Sequence, residues 1–155
     1  MPSERSTATA AVYSGSLLAG RLIELMDEAA QAELVRAGRS QILDKGSLVL
    51  TRGERPNGIF ILDEGRAKVL FKDEPERSVR FMESGEIAAL TETLADKPVS
   101  YDLETETACR ITVISGEDLE RILKNSPDAS FGLAKLLSEN FLESFESLRQ
   151  QPAEM

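Results

Sequence analysis

Gly53-Glu54-Arg55-Pro56-Asn57-Gly58-Ile59-Phe60-Ile61-Leu62-Asp63-Glu64-Gly65 is the stretch on which the reading of the fold turns. Ile59 to Leu62 is an apolar run too short for a helix and bounded on both sides by turn residues, which is the signature of a buried strand. Pro56 and Asn57-Gly58 mark a turn before it, and Asp63-Glu64-Gly65 ends it and launches the next run, Ala67–Phe71. The same grammar repeats outward. Leu48–Leu50, Val79–Met82, Tyr101–Leu103 and Ile111–Ile114 are short apolar runs, and Lys72 to Arg77, with Pro75, is a charged loop. Short strands at regular spacing predict an all-β sandwich or barrel over residues 40–115.

Outside that segment the period changes. Leu18, Leu22, Ile23 and Met26 recur at helical spacing, so residues 17–37 read as helical. Asp27 is placed to cap the second part, Glu28 to Ala37, and Gly38 stands where a left-handed residue would end it. Ser115 with Asp118 resembles a capping box. Ser126-Pro127-Asp128 sets a cap, a first-position Pro and an acid in the first turn. Residues 127–149 form one long amphipathic helix with Leu133, Leu136, Leu137, Phe141, Phe145 and Leu148 on its apolar face. Residues 1–15 and 150–155 are expected to be tails, leaving one domain over 16–149, with helices at 17–37 and 116–149.

Composition narrows function. The chain has 155 residues, 41% hydrophobic and 29% charged, which suits a single domain with a substantial core. Its formal charge is −9, which disfavours DNA, because phosphate contacts need clustered Lys and Arg. Histidine is absent, which removes His-based metal sites and a Ser-His-Asp triad. Cys109 stands alone, so no intramolecular disulfide forms; beside Ala108 in a strand it reads as a small core residue. The N-terminus is rich in Ser, Thr and Ala without the apolar core of a secretory signal. No apolar run approaches the ~18 residues of a membrane span. The expectation is a cytoplasmic, non-enzymatic binding or regulatory domain with no metal and no catalytic residues.

Three stretches together resemble the cyclic nucleotide-binding domain of catabolite activator-type regulators and protein kinase A regulatory subunits. They are Gly53–Gly65, with Lys45-Gly46 a strand earlier; the turn Ser84-Gly85-Glu86; and Thr107-Ala108-Cys109-Arg110-Ile111-Thr112-Val113-Ile114-Ser115. The resemblance covers about residues 17–149. It implies an eight-stranded jelly-roll β-barrel, mainly β, flanked by N-terminal helices and a long C-terminal helix.

The resemblance also implies a ligand pocket by position: Gly85, Glu86, Ala89, Leu90, Val99, Ser100 and Tyr101. In the family an Arg fork binds the cyclic phosphate and a Glu accepts the ribose hydroxyl. The interval from Glu86 to Val99 keeps the family's spacing without a gap. That register puts Leu90 at the position of the ribose Glu and Val99 at that of the phosphate Arg. Ala89 replaces a Gly, and Tyr101 a small Ala. Losing the Arg removes charge-assisted hydrogen bonds worth ~1.5–3 kcal/mol each. Cyclic AMP or cyclic GMP is therefore disfavoured as a ligand, and no cofactor is expected. Lys97 or Arg80 could supply a substitute cation, although Lys97 reads more simply as a solvated loop charge. Ser144 lies where family members present a hydroxyl to the base; on helical spacing alone it reads as solvent-facing.

The long helix in this family pairs with its twin. Leu137, Phe141, Phe145 and Leu148 are the candidate seam for a homodimer or another protein partner, stepping by intervals compatible with a coiled coil over two turns. The expected function is a regulatory or scaffolding module acting through protein–protein contact, with no DNA and no membrane partner. The alternative is a small-ligand or cyclic nucleotide sensor using an altered pocket.

Overall fold

The computed structural model describes residues 17–71 and 79–150, apart from the side chains of Val79, Ser147, Leu148 and Gln150. The expected tail at 1–15, the charged loop at 72–77, residues 151–155 and the side chain of the seam residue Leu148 lie outside what is described. The chain opens with a two-residue strand β1 (Leu17–Leu18), then helices α1 (Ala19–Glu24) and α2 (Glu28–Ala37). Strands β2 (Arg39–Leu43), β3 (Leu48–Leu50), β4 (Gly58–Glu64), β5 (Ala67–Leu70), β6 (Val79–Met82) and β7 (Glu86–Ala88) follow. A short helix α3 (Leu90–Ala95) precedes β8 (Asp102–Thr105) and β9 (Cys109–Ser115). Helices α4 (Gly116–Asn125) and α5 (Pro127–Gln150) end the described chain.

The strands make two antiparallel sheets, ordered β1-β7-β4-β9-β2 and β3-β8-β5-β6. The jelly-roll expectation holds, with β1 as an added short strand. The two sheets are separate, so of the sandwich and the barrel that strand spacing allows, the roll is an unclosed sandwich.

The apolar run in β4 is continuous because its sheet is covered on both faces. Ile59 and Ile61 face a helical layer with Leu22, Met26, Leu34, Leu119, Ile122, Leu133 and Leu136. Leu62 faces the second sheet, among Val69, Met82, Leu103, Cys109 and Ile111. The molecule thus has two cores, one outside the first sheet and one between the sheets.

The caps form as the sequence predicts. Ser115 Oγ accepts from the Asp118 amide at 3.0 Å, and Ser126 Oγ accepts from Ala129 at 3.1 Å. Asp27 Oδ1 accepts from Ala30 at 2.8 Å, while its Oδ2 accepts the Ser126 hydroxyl at 2.9 Å. One carboxylate therefore caps α2 and anchors the start of α5. Asp27→Ala is expected to lower unfolding stability by about 1–2 kcal/mol, from a lost cap and an orphaned buried hydroxyl. Urea denaturation followed by circular dichroism would measure this, and an unchanged midpoint would contradict the shared-cap role.

Three expectations need correction. Residues 17–37 are not wholly helical, because Leu17 pairs with Ile87 and Leu18 with Glu86 before α1 begins. Gly38 is not left-handed; its φ is −71° and ψ 140°. It is required by close approach, since a Cβ there would lie 2.8 Å from Thr112 Cγ2. Gly58 is likewise a strand residue and not a turn glycine. A Cβ on it would overlap the Ile114 carbonyl oxygen of the paired strand.

Candidate functional site

Residues 83–101 form a turn, a strand, a short helix and an extended return. The turn needs Gly85, whose φ is +93°. Its amide donates to Leu62 O at 2.7 Å and its carbonyl accepts from Ala19 N at 2.6 Å, fixing β7 between β1 and β4. Glu86 Oε1 accepts from the Glu83 amide at 3.1 Å. Partial burial pushes the Glu86 carboxyl above the usual carboxylate range; the Glu83 amide and Arg80 oppose that rise.

The chain then redirects at Ala89, which is left-handed at φ 69° and ψ 19°. A non-glycine residue pays about 1–2 kcal/mol for that conformation, which explains why a Gly is at home there. Helix α3 ends at a second left-handed residue, Asp96, at φ 57°. The Asp96 and Lys97 amides both return to Glu92 O, the latter at 3.0 Å. Val99 is then locked to the opening stretch. Its amide donates to Glu54 O and its carbonyl accepts from Gly53 N, each at 2.9 Å. Tyr101 meets the Phe71 ring edge to face, with centroids 6.0 Å apart.

The structure brings together some of the pocket residues named from the sequence and separates Leu90 from them. Ala89, Val99 (2% exposed) and Tyr101 (0%) belong to the core between the sheets. Leu90 (0%) packs in the helical core on the other side of the first sheet. The left-handed step at Ala89 sends it there, so Leu90 does not line the space that Val99 and Tyr101 fill. Gly85 and Glu86 are half-buried, and Ser100 and Lys97 are exposed. Lys97 therefore does not share the orientation of Val99. At these positions a ligand phosphate would meet aliphatic and aromatic carbon. Among the described residues no group of three His, Cys, Asp or Glu side chains could hold a metal ion.

The long helix divides differently from its sequence reading. Leu133 and Leu136 are buried and Leu137 is partly buried against the helical core. Phe141 (66% exposed) and Phe145 (51%) turn outward and stack on each other at 6.2 Å. The expected single apolar face is thus two faces. Phe131 and Leu142, which the sequence reading left out of the seam, are also exposed. Phe131, Ala134, Ser138, Phe141 and Phe145 step alternately by three and four, the spacing of a helix–helix seam, and all are exposed. The seam expected from sequence shares Phe141 and Phe145 with this face, whereas its Leu137 turns toward the helical core. Ser144 is buried and not solvent-facing. No helix among the described residues is long and apolar enough to cross a membrane.

Comparison with known proteins agrees with the fold. The family model for the cyclic nucleotide-binding domain matches residues 40–126, more than half of the chain. The potassium channel AKT2 of Oryza sativa subsp. japonica is 26% identical over 97 residues; that match takes in 61% of this chain and only 11% of the channel. The sensor domain of the transcriptional regulator DNR from Pseudomonas aeruginosa superposes with a TM-score of 0.65 at 19% identity, over 77% of this chain and 86% of that one. Thermus thermophilus catabolite activator protein superposes with a TM-score of 0.70 at 14% identity, over 83% of this chain and 62% of that one. The two-sheet roll, the turn at Gly85 and the match across residues 40–126 lead to one conclusion: the chain belongs to the cyclic nucleotide-binding domain family.

Proposed function

We propose that this chain is a non-enzymatic regulatory module that acts through protein–protein contact and does not bind cyclic AMP or cyclic GMP in the manner its family resemblance implies. One observation carries this reading: the residues standing where a phosphate cation and a ribose acid are wanted, Val99 and Leu90, are buried in two separate cores. A buried phosphate without its cation would bear a desolvation penalty with little return.

The contact surface in this reading is the outer face of α5, through which two copies pair. Covering Phe141, Leu142 and Phe145 removes apolar area from water at about 25 cal/mol per Å². Sedimentation velocity tests it. The wild-type chain is expected to run as a dimer at micromolar concentration, and the double variant Phe141→Lys, Phe145→Lys as a folded monomer. A wild-type monomer, or a double variant that still dimerises, would contradict the pairing.

A second reading, a sensor for a different small ligand, is favoured by a separate observation. A charged pair, Arg80 and Glu86, lies partly buried beside the inner core.

A further inference from the structure

Arg80 projects into the roll, as the pairing of its strand establishes. On β6, Met82 pairs with Ala67 and Arg80 with Val69, and Met82, Ala67 and Val69 are all buried in the core between the sheets. Alternation puts Arg80 on that same inner face. On β7, Ala88 lies in the inner core and Ile87 in the helical core, so Glu86 shares the inner face with Ala88. The two charges meet from opposite sheets. Arg80 Nη2 stands 3.7 Å from Glu86 Oε2, with side chains 33% and 14% exposed. Arg80 Nη1 also donates to the Phe81 carbonyl at 3.2 Å.

This contact is looser than the paired, parallel hydrogen bonds that guanidinium and carboxylate can form. The other Glu86 oxygen is held by the Glu83 amide. A partly desolvated ion pair of this kind gives a fold little that an apolar pair would not, and a charged residue perturbed by burial marks a candidate site. Arg80 keeps solvent access at the mouth, while Val99 and Tyr101 fill the interior behind it.

We propose that Arg80 is an anion-binding residue at the mouth of the roll, taking the carboxylate or phosphate head of a small acid, with Glu86 as the internal occupant that the ligand displaces. The site rests on the sensor reading and specifies its ligand class. Val99 and Tyr101 are packed in the inner core behind the pair, so the ligand this site specifies is a compact acid held chiefly through its head group. Glu86 sets the threshold, because an incoming anion must outcompete a carboxylate already in place.

The test is a titration of the ¹⁵N-labelled full chain, at constant ionic strength, with inorganic phosphate and separately with acetate. Saturable shifts of the Arg80, Phe81 and Glu86 amides are expected with at least one probe, and the probe that binds names the head group. Glu86→Gln is expected to tighten binding about tenfold, equivalent to about 1.4 kcal/mol. Arg80→Gln is expected to abolish it. The site is overturned if neither probe gives saturable shifts in the wild type and Glu86→Gln, or if Arg80→Gln binds as the wild type does. The amide spectra report folding, and should Arg80→Gln unfold, the Glu86→Gln comparison decides alone. Saturable binding of another small molecule at inner-core amides, with none by phosphate or acetate, would overturn the Arg80 assignment while leaving a sensor.

Discussion

Tyr101→Ala is expected to lower unfolding stability by about 3–5 kcal/mol, the range for emptying a large aromatic site in a close-packed interior. The ring is fully buried and packs on Phe71 in a core that also holds Val69, Met82 and Leu103. That core also takes Leu62, Ala88 and Ile111 from the first sheet, and a cluster held by two sheets collapses little into a vacancy. Urea denaturation followed by circular dichroism gives the value. A loss below about 1 kcal/mol would mean that the ring faces open space, as a residue lining a roomy ligand pocket would.

Val99→Arg is the second large effect, with an expected loss of about 3–5 kcal/mol, the cost of an uncompensated buried charge. This substitution restores the residue type that the family resemblance places at the phosphate. It should not restore a site. Val99 is held on both backbone groups by Gly53 and Glu54, so the new side chain would enter the core between the sheets. The second polar group a nucleotide needs would come from position 90, and Leu90 lies in the other core. Val99→Ile serves as the control and should cost less than about 1.5 kcal/mol, since it keeps the apolar character. Thermal and urea denaturation of the three proteins check this. A Val99→Arg protein as stable as the wild type and newly competent for cyclic AMP would refute the packing account.

The fold was legible where burial is one-dimensional along the chain. Ile59–Leu62 reads as a strand because the sheet around β4 is covered twice, and Ser115, Ser126 and Asp27 read as caps because capping is local chemistry. The misses have physical causes. β2 is a largely exposed edge strand, Arg39 to Leu43, that lacks apolar alternation. β1 has two residues and exists only through its pairing with β7. Gly38 and Gly58 look like turn glycines in sequence, whereas contacts far along the chain, at Thr112 and Ile114, demand them.

The site was legible in register but not in orientation. Spacing placed Ala89, Leu90 and Val99 along the segment, and Ala89 does adopt the left-handed backbone that suits a Gly. No spacing argument could say that the same left-handed step sends Leu90 to the helical side. Arg80 could be named from sequence as a cation near the segment. Its inner-face position and its partner Glu86 came from strand pairing.

The central claim is that the roll has lost the groups that hold a cyclic nucleotide and has filled the space they served. Isothermal titration of the wild-type chain with cyclic AMP and cyclic GMP tests it most directly. The account predicts no saturable heat with either nucleotide up to millimolar concentration. A micromolar Kd for either, about 8 kcal/mol of binding free energy, would contradict it, because Leu90, Val99 and Tyr101 as packed here offer no source for that energy.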